Sequence, residues 1–163
     1  MSNPAHFSAA EIFDLAIETE HNGKAFYEAA AQAASGPEVQ KVMTHLANAE
    51  AEHASLFRDL KASASLSSAS IPESYPGEQE ENMQALLRAR VLPDEATGLQ
   101  VVRELVDDTA ALDFAIAFEK DTILFMQQMK EMLPEGEREQ INVLIAQEHG
   151  HIRALQQIKD RRG

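Results

Sequence analysis

The 163-residue chain carries 27 acidic against 14 basic side chains, a formal charge of -13, which repels phosphate backbones and anionic head groups and argues against nucleic acid or a membrane surface as a partner. No run approaches the roughly 18 apolar residues of a spanning helix, and the opening MSNPAHFSAAEIFDL lacks a basic segment followed by an apolar one, so a soluble, cytoplasmic protein is expected. The absence of cysteine excludes disulfides, thiolate metal sites, a cysteine nucleophile and a CxxC iron centre, and leaves oxygen and nitrogen to carry any chemistry.

Four long segments, about 8 to 34, 37 to 62, 108 to 132 and 135 to 161, repeat apolar residues with a helical period, and no comparable stretch alternates with period two. The fold class is therefore all-α. Ser35-Gly36-Pro37 separates the first pair of helices and Leu133-Pro134-Glu135-Gly136 the second, so each pair reads as an antiparallel hairpin. Between the pairs, Ser63 to Gly77 (SASLSSASIPESYPG) has linker composition and precedes short helices near 79 to 90 and 99 to 106. The acidic stretch at 77 to 82 reads as a solvated face. A crossover over 63 to 107 lets the third helix start at the far end, giving a single-domain four-helix bundle over residues 1–163.

The apolar seams place polar residues inward. They run through Phe13, Ala16, Glu20, Gly23 and Tyr27 on the first helix, and Val39, Val42, Leu46, Glu50, His53 and Leu60 on the second. The third carries Leu112, Ala115, Glu119, Thr122, Met126, Met129 and Leu133, and the fourth Ile141, Leu144, Glu148, His151, Leu155 and Ile158. The hairpins also repeat each other: Glu20 and Glu119 are 99 residues apart, while Glu50 and Glu148, and His53 and His151, are 98 apart. Residues i and i+3 of a helix lie about 60° apart around the axis, so each Glu-x-x-His pair can present two ligands to one point. Glu20 lies 16 residues before Gly36 and Glu50 14 after it, and Glu119 lies 17 before Gly136 and Glu148 12 after it. At about 1.5 Å per residue, all six side chains can meet at one level.

Four glutamates with two neutral histidines carry a charge near -4, which two divalent cations would balance. Oxygen and imidazole without sulfur suit iron or manganese, and zinc would also bind such a set. With 19 Glu in 163 residues, six His would meet a Glu three positions earlier about 0.7 times by chance, so one such pair means little. Glu18/His21 is read as that accident, since Glu18 falls about 160° around the first helix from Glu20. The competing readings are a buried network of protonated acids and a misplaced seam. Lys24, Lys120 and Arg153 lie on flanking faces, so an ion-pair network lacks well-placed cations. Tyr27, on the face of Glu20, is placed to donate to a ligating carboxylate or to serve as a core aromatic. Met43 and Met129 read as core filler, and His45 and His149 as flank or solvent residues.

The motifs EHNGKAFY (20 to 27), EAEH (50 to 53), EKDTILFM (119 to 126) and EHGH (148 to 151) together resemble those of the rubrerythrin group of the ferritin-like superfamily, in particular its members without a rubredoxin domain. The resemblance implies a ferritin-like bundle whose ligands are Glu20, Glu50, His53, Glu119, Glu148 and His151, with Glu50 and Glu148 as bridges. It further implies two iron ions oxidised by peroxide or dioxygen and re-reduced by a donor. The expected function is a di-iron oxidoreductase reducing hydrogen peroxide with electrons from an external donor. The alternatives are a ferroxidase that oxidises Fe(II) with dioxygen, and a non-catalytic metal-binding protein. Thr122 stands where the family often has a second Glu, and Met126 where it has Tyr. Bacterioferritin is similar in its six ligands, but a homodimer is expected rather than a 24-subunit shell.

Overall fold

The computed structural model describes residues 7–66 and 76–162. Six helices follow one another in the chain: α1 (Ala9–Ala33), α2 (Pro37–Leu66), α3 (Pro76–Ala89), α4 (Glu95–Glu104), α5 (Asp108–Met132) and α6 (Glu135–Arg162), with no strand among the described residues. Their ends follow local chemistry. Ser8 Oγ accepts from the Glu11 N–H at 3.1 Å and donates to the Glu11 carboxylate at 3.2 Å, tying down the first turn of α1. Asp94 and Asp107 cap α4 and α5, accepting from Thr97 N–H at 2.7 Å and Ala110 N–H at 2.8 Å. Pro37 and Pro76 occupy first helical positions, where no intrahelical donor is needed.

The four long helices agree with the periodicity. α2 continues four residues past the expected end at 62, to Leu66, because Ala and Ser do not by themselves stop a helix that is already propagating. Of the expected linker, residues 67–75 lie outside the described residues. α4 starts at Glu95 rather than 99, because the Asp94 cap fixes its beginning ahead of the apolar repeat.

Two apolar clusters divide the bundle lengthwise. One joins the C-terminal half of α1 (Phe26, Ala30), the start of α2 (Val39, Met43, Leu46), the start of α5 (Leu112, Ala115) and the end of α6 (Leu155, Ile158). The other joins Ile12 and Phe13 of α1, Phe57 and Leu60 of α2, Met83 of α3, Met126 and Met129 of α5, and Ile141 and Leu144 of α6. This pairing of ends makes α1 antiparallel to both α2 and α5, and α6 antiparallel to both α5 and α2. The connection from α2 to α5 must consequently traverse the bundle, with α3 packed on α5 and α4 on α1 along the way. Each large side chain buried here contributes about 1.5–3 kcal/mol, and between the clusters lies a layer that is polar.

Candidate metal centre

The polar layer holds Glu20 from α1, Glu50 and His53 from α2, Glu119 and Thr122 from α5, and Glu148 from α6, each no more than 3% exposed, with the His151 side chain at 12%. Every seam position named from the periodicity, Glu-x-x-His pairs included, thus faces inward. The acids and imidazoles meet at two points. Ligand atoms from Glu20, Glu50, His53 and Glu148 lie within 4.8 Å of one another, and so do those from Glu119, Glu148 and His151. Glu148 belongs to both groups and Glu50 to the first, so Glu148 stands between the two points. Its Oε1 is 2.9 Å from His53 Nδ1 and its Oε2 is 2.9 Å from His151 Nδ1. Glu20 Oε2 and Glu119 Oε1 each stand 3.6 Å from the Nδ1 of the nearer histidine. The two imidazoles stack with ring centres 5.8 Å apart and planes 19° from parallel.

The fit to a pair of cations rests on polar atoms that nothing else satisfies. Both carboxylate oxygens of Glu20 and of Glu50, together with Glu119 Oε2, are buried without a hydrogen-bond partner, while Glu148 Oε1 and His53 Nδ1 have only each other, at 2.9 Å. Buried groups of this kind ordinarily cost a few kcal/mol each, and five of them gathered beside the Glu148–His53 contact form a donor set for divalent metal. No Lys or Arg offsets them: Lys24 pairs with Glu28 at 2.6 Å on the surface, and Lys120 and Arg153 are exposed.

Electrostatics follow from the crowding. Burial pushes the carboxyls of Glu20, Glu50 and Glu119 above the usual range, with Glu20 adding to the effect on Glu50 and Glu148 to that on Glu119. Burial acts on Glu148 in the same sense, but hydrogen bonding with Glu119, His151 and His53 outweighs it and holds Glu148 below the ordinary range. Burial disfavours both imidazolium ions, yet the carboxylates of Glu148 and Glu20 beside it raise His53 to about 11, and those of Glu119 and Glu148 raise His151 to about 9. Protons are thus the cations these side chains hold for themselves, and a divalent ion has to displace them.

Tyr27 donates its hydroxyl to Glu119 Oε1 at 2.6 Å, and its ring is at the same time part of the apolar core. Thr122 hydrogen-bonds back to the Phe118 carbonyl at 3.1 Å, so its hydroxyl is not offered to the layer. Met43, Met126 and Met129 are buried core residues. His45 and His149 are exposed, as is the Glu18/His21 pair, where His21 Nε2 accepts from Arg58 Nη2 at 2.7 Å.

Two supporting features escape the sequence pattern. Gln147 on α6 is exposed, yet its Oε1 lies 2.8 Å from His53 Nε2, and its place off the seam gives no sign of this. Gly23 lies where a Cβ would come within 2.6 Å of the Phe118 ring and 3.1 Å of Glu50 Cδ. A glycine on an apolar seam is a signal of close approach, but it does not say to what. A cavity of about 340 Å³ opens beside α1 and α2, with Glu20 and Glu50 in its wall and His21, Lys24, Arg58 and Glu95 around it.

Among known proteins, the Rubrerythrin family model matches residues 11–159. No curated protein matches. A crystal structure from Thermotoga maritima, described as that of a ferritin-like diiron-carboxylate protein, superposes with a TM-score of 0.70 over 99% of this chain and 100% of its own, at 23% identity. At that identity the likeness concerns the fold: a ferritin-like helical bundle.

Proposed function

Since the chain belongs to the rubrerythrin family, matched over residues 11–159, we propose that it is a single-domain di-iron oxidoreductase that reduces hydrogen peroxide with electrons from an external donor. The observation that carries this reading is the convergence of four buried glutamates and two histidines, five of their carboxylate oxygens unpartnered, on two points that share Glu148. Glu20, Glu50, His53 and Glu148 would hold one iron, and Glu119, Glu148 and His151 the other. When bound, two irons each supply one electron, so that peroxide, two electrons and two protons give two waters. The chain's own part is positional. Apolar clusters above and below the layer exclude bulk water, Tyr27 donates to the Glu119 carboxylate, and the cavity whose wall includes Glu20 and Glu50 lies on the side from which a small oxidant would approach. The chain has no cysteine, so the donor is a separate protein or small reductant. A cytoplasmic homodimer completes the proposal.

Thr122 favours a second reading. It lies buried in the layer beside Glu119 and carries no carboxylate, so six ligand residues rather than seven face the two points, and this is compatible with a ferroxidase that oxidises Fe(II) with dioxygen. Rapid mixing of the anaerobic di-Fe(II) protein with each oxidant decides between them. Oxidation at least ten times faster with peroxide supports the proposal, and faster oxidation with dioxygen replaces it by the ferroxidase. Reaction with neither, while zinc raises the melting temperature as much as iron does, leaves a metal clip without turnover.

A further inference from the structure

His53 and His151 occupy equivalent places on α2 and α6, and both turn Nδ1 toward Glu148. Their outer nitrogens are treated differently. His53 Nε2 stands 2.8 Å from Gln147 Oε1, and because an amide oxygen only accepts, Nε2 carries the proton and donates. Deprotonation of the ring for metal binding then takes place at Nδ1, whose lone pair is aimed between Glu20 and Glu148. The contact also crosses between helices, from α2 to α6, so it fixes the ring's rotation as well as its tautomer. His151 has no matching hold. Its described polar contacts, to Glu148 and Glu119, run through Nδ1; beyond them it meets His45 edge-on with ring centres 6.3 Å apart, and its side chain is 12% exposed against 4% for His53. The donor groups differ in number too, four residues against three.

We propose that Gln147 is a positioning residue for His53, and that it makes the two cation positions unequal: the one formed by Glu20, Glu50, His53 and Glu148 fills first and holds its ion, while the one formed by Glu119, Glu148 and His151 exchanges. This rests on the reading of the polar layer as a two-cation site, and it is independent of which oxidant the centre uses. A metal-bound imidazole whose other N–H is held by an acceptor is oriented before the ion arrives and is a better base, and loss of such a partner typically weakens metal affinity by about 10- to 100-fold.

The test is anaerobic titration of the full chain with Co(II), followed by visible absorbance and by proton NMR of the exchangeable imidazole N–H signals that the paramagnetic ion shifts. The wild-type protein should bind in two steps, the first equivalent bringing one slowly exchanging shifted N–H. In Gln147→Leu the first step should weaken by about 10- to 100-fold and that proton should exchange too fast to observe, with the second step unchanged. Gln147→Glu, which keeps an acceptor at the same reach, should restore both. Because Gln147→Leu leaves the buried His53 Nε2 without its acceptor, the metal-free leucine variant should melt somewhat lower while keeping its helical circular dichroism, and Gln147→Glu should recover the difference. Two equivalents bound by Gln147→Leu with wild-type affinity and an unchanged N–H signal would overturn the role of Gln147 while leaving the two-cation site standing. A first step lost in His151→Ala but retained in His53→Ala would reverse the order of the two positions. A wild-type chain that takes up no Co(II) would remove the site itself.

Discussion

Glu119 accepts a short hydrogen bond from the Tyr27 hydroxyl, at 2.6 Å. Burial holds that phenol well above its ordinary range, with the Glu119 charge adding to the effect, so Tyr27 stays a donor at every pH the fold survives. Tyr27→Phe leaves Glu119 Oε1 without that donor, and calorimetric titration should show affinity at the Glu119/His151 position falling by about 10-fold. Gly23 sets a steric condition on the same layer. A methyl group there meets the Phe118 ring, and that ring is itself packed edge-on to Tyr27 with centres 6.0 Å apart, so it cannot swing away freely. Overpacking of this kind costs about 1–3 kcal/mol, against which the better helix propensity of alanine returns up to about 1. Gly23→Ala should therefore melt lower than wild type in the metal-free state, and an unchanged melting temperature would show that Phe118 repacks at no cost. Gly23 was legible as a seam residue, whereas the phenyl ring it makes room for was not.

At the scale of elements, the two hairpins are stitched together by a residue that local rules would assign elsewhere. Asp107 caps α5, as its place before the apolar repeat suggests. Asp108, the next residue, is 5% exposed and accepts from the Ser35 and Gly36 N–H groups at 3.0 and 2.7 Å. Those amides belong to the turn that starts α2, so a carboxylate on the first turn of α5 satisfies the helix start of the other hairpin and complements its dipole. Asp108→Ala removes both acceptors and should lower stability by about 2–3 kcal/mol, measured by urea unfolding of the metal-free protein. The partners are 73 and 72 residues apart, and no sequence window spans that distance. The Gln147 contact to His53, 94 residues away, was hidden for the same reason.

For the whole molecule, the polar layer makes stability depend on pH in an unusual direction. Glu20, Glu50 and Glu119 have folded values above 4.5, and His53 and His151 rise from 6.5 to about 11 and about 9. In each case the folded state binds the proton more tightly than the unfolded chain. The stability gained is therefore fully present below the unfolded value and lost as pH rises toward the folded one. Glu148, held below its ordinary range, acts oppositely, and only in acid below about 4.5. The metal-free protein should thus be most stable near pH 5, and its melting temperature should fall by more than about 5 °C between pH 5 and pH 9. Divalent metal, which displaces those protons, should bind more tightly as pH rises and should reverse the trend. A metal-free melting temperature that climbs from pH 5 to 9 would contradict the proton-filled layer.

The four long helices, the two hairpins, the seam on each helix and the six donors those seams turn inward are all legible in the order of residues along the chain. Each of these follows from a 3.6-residue period and from the few chain breakers at Gly36, Pro37, Pro134 and Gly136, and such information is local. Packing alone brought Glu148 between the two histidines, set Gln147 Oε1 2.8 Å from the outer nitrogen of His53, and turned Asp108 onto the start of the opposite hairpin. Those outcomes depend on side chains brought together across helices by packing, and periodicity fixes which face a residue occupies without fixing what it meets there.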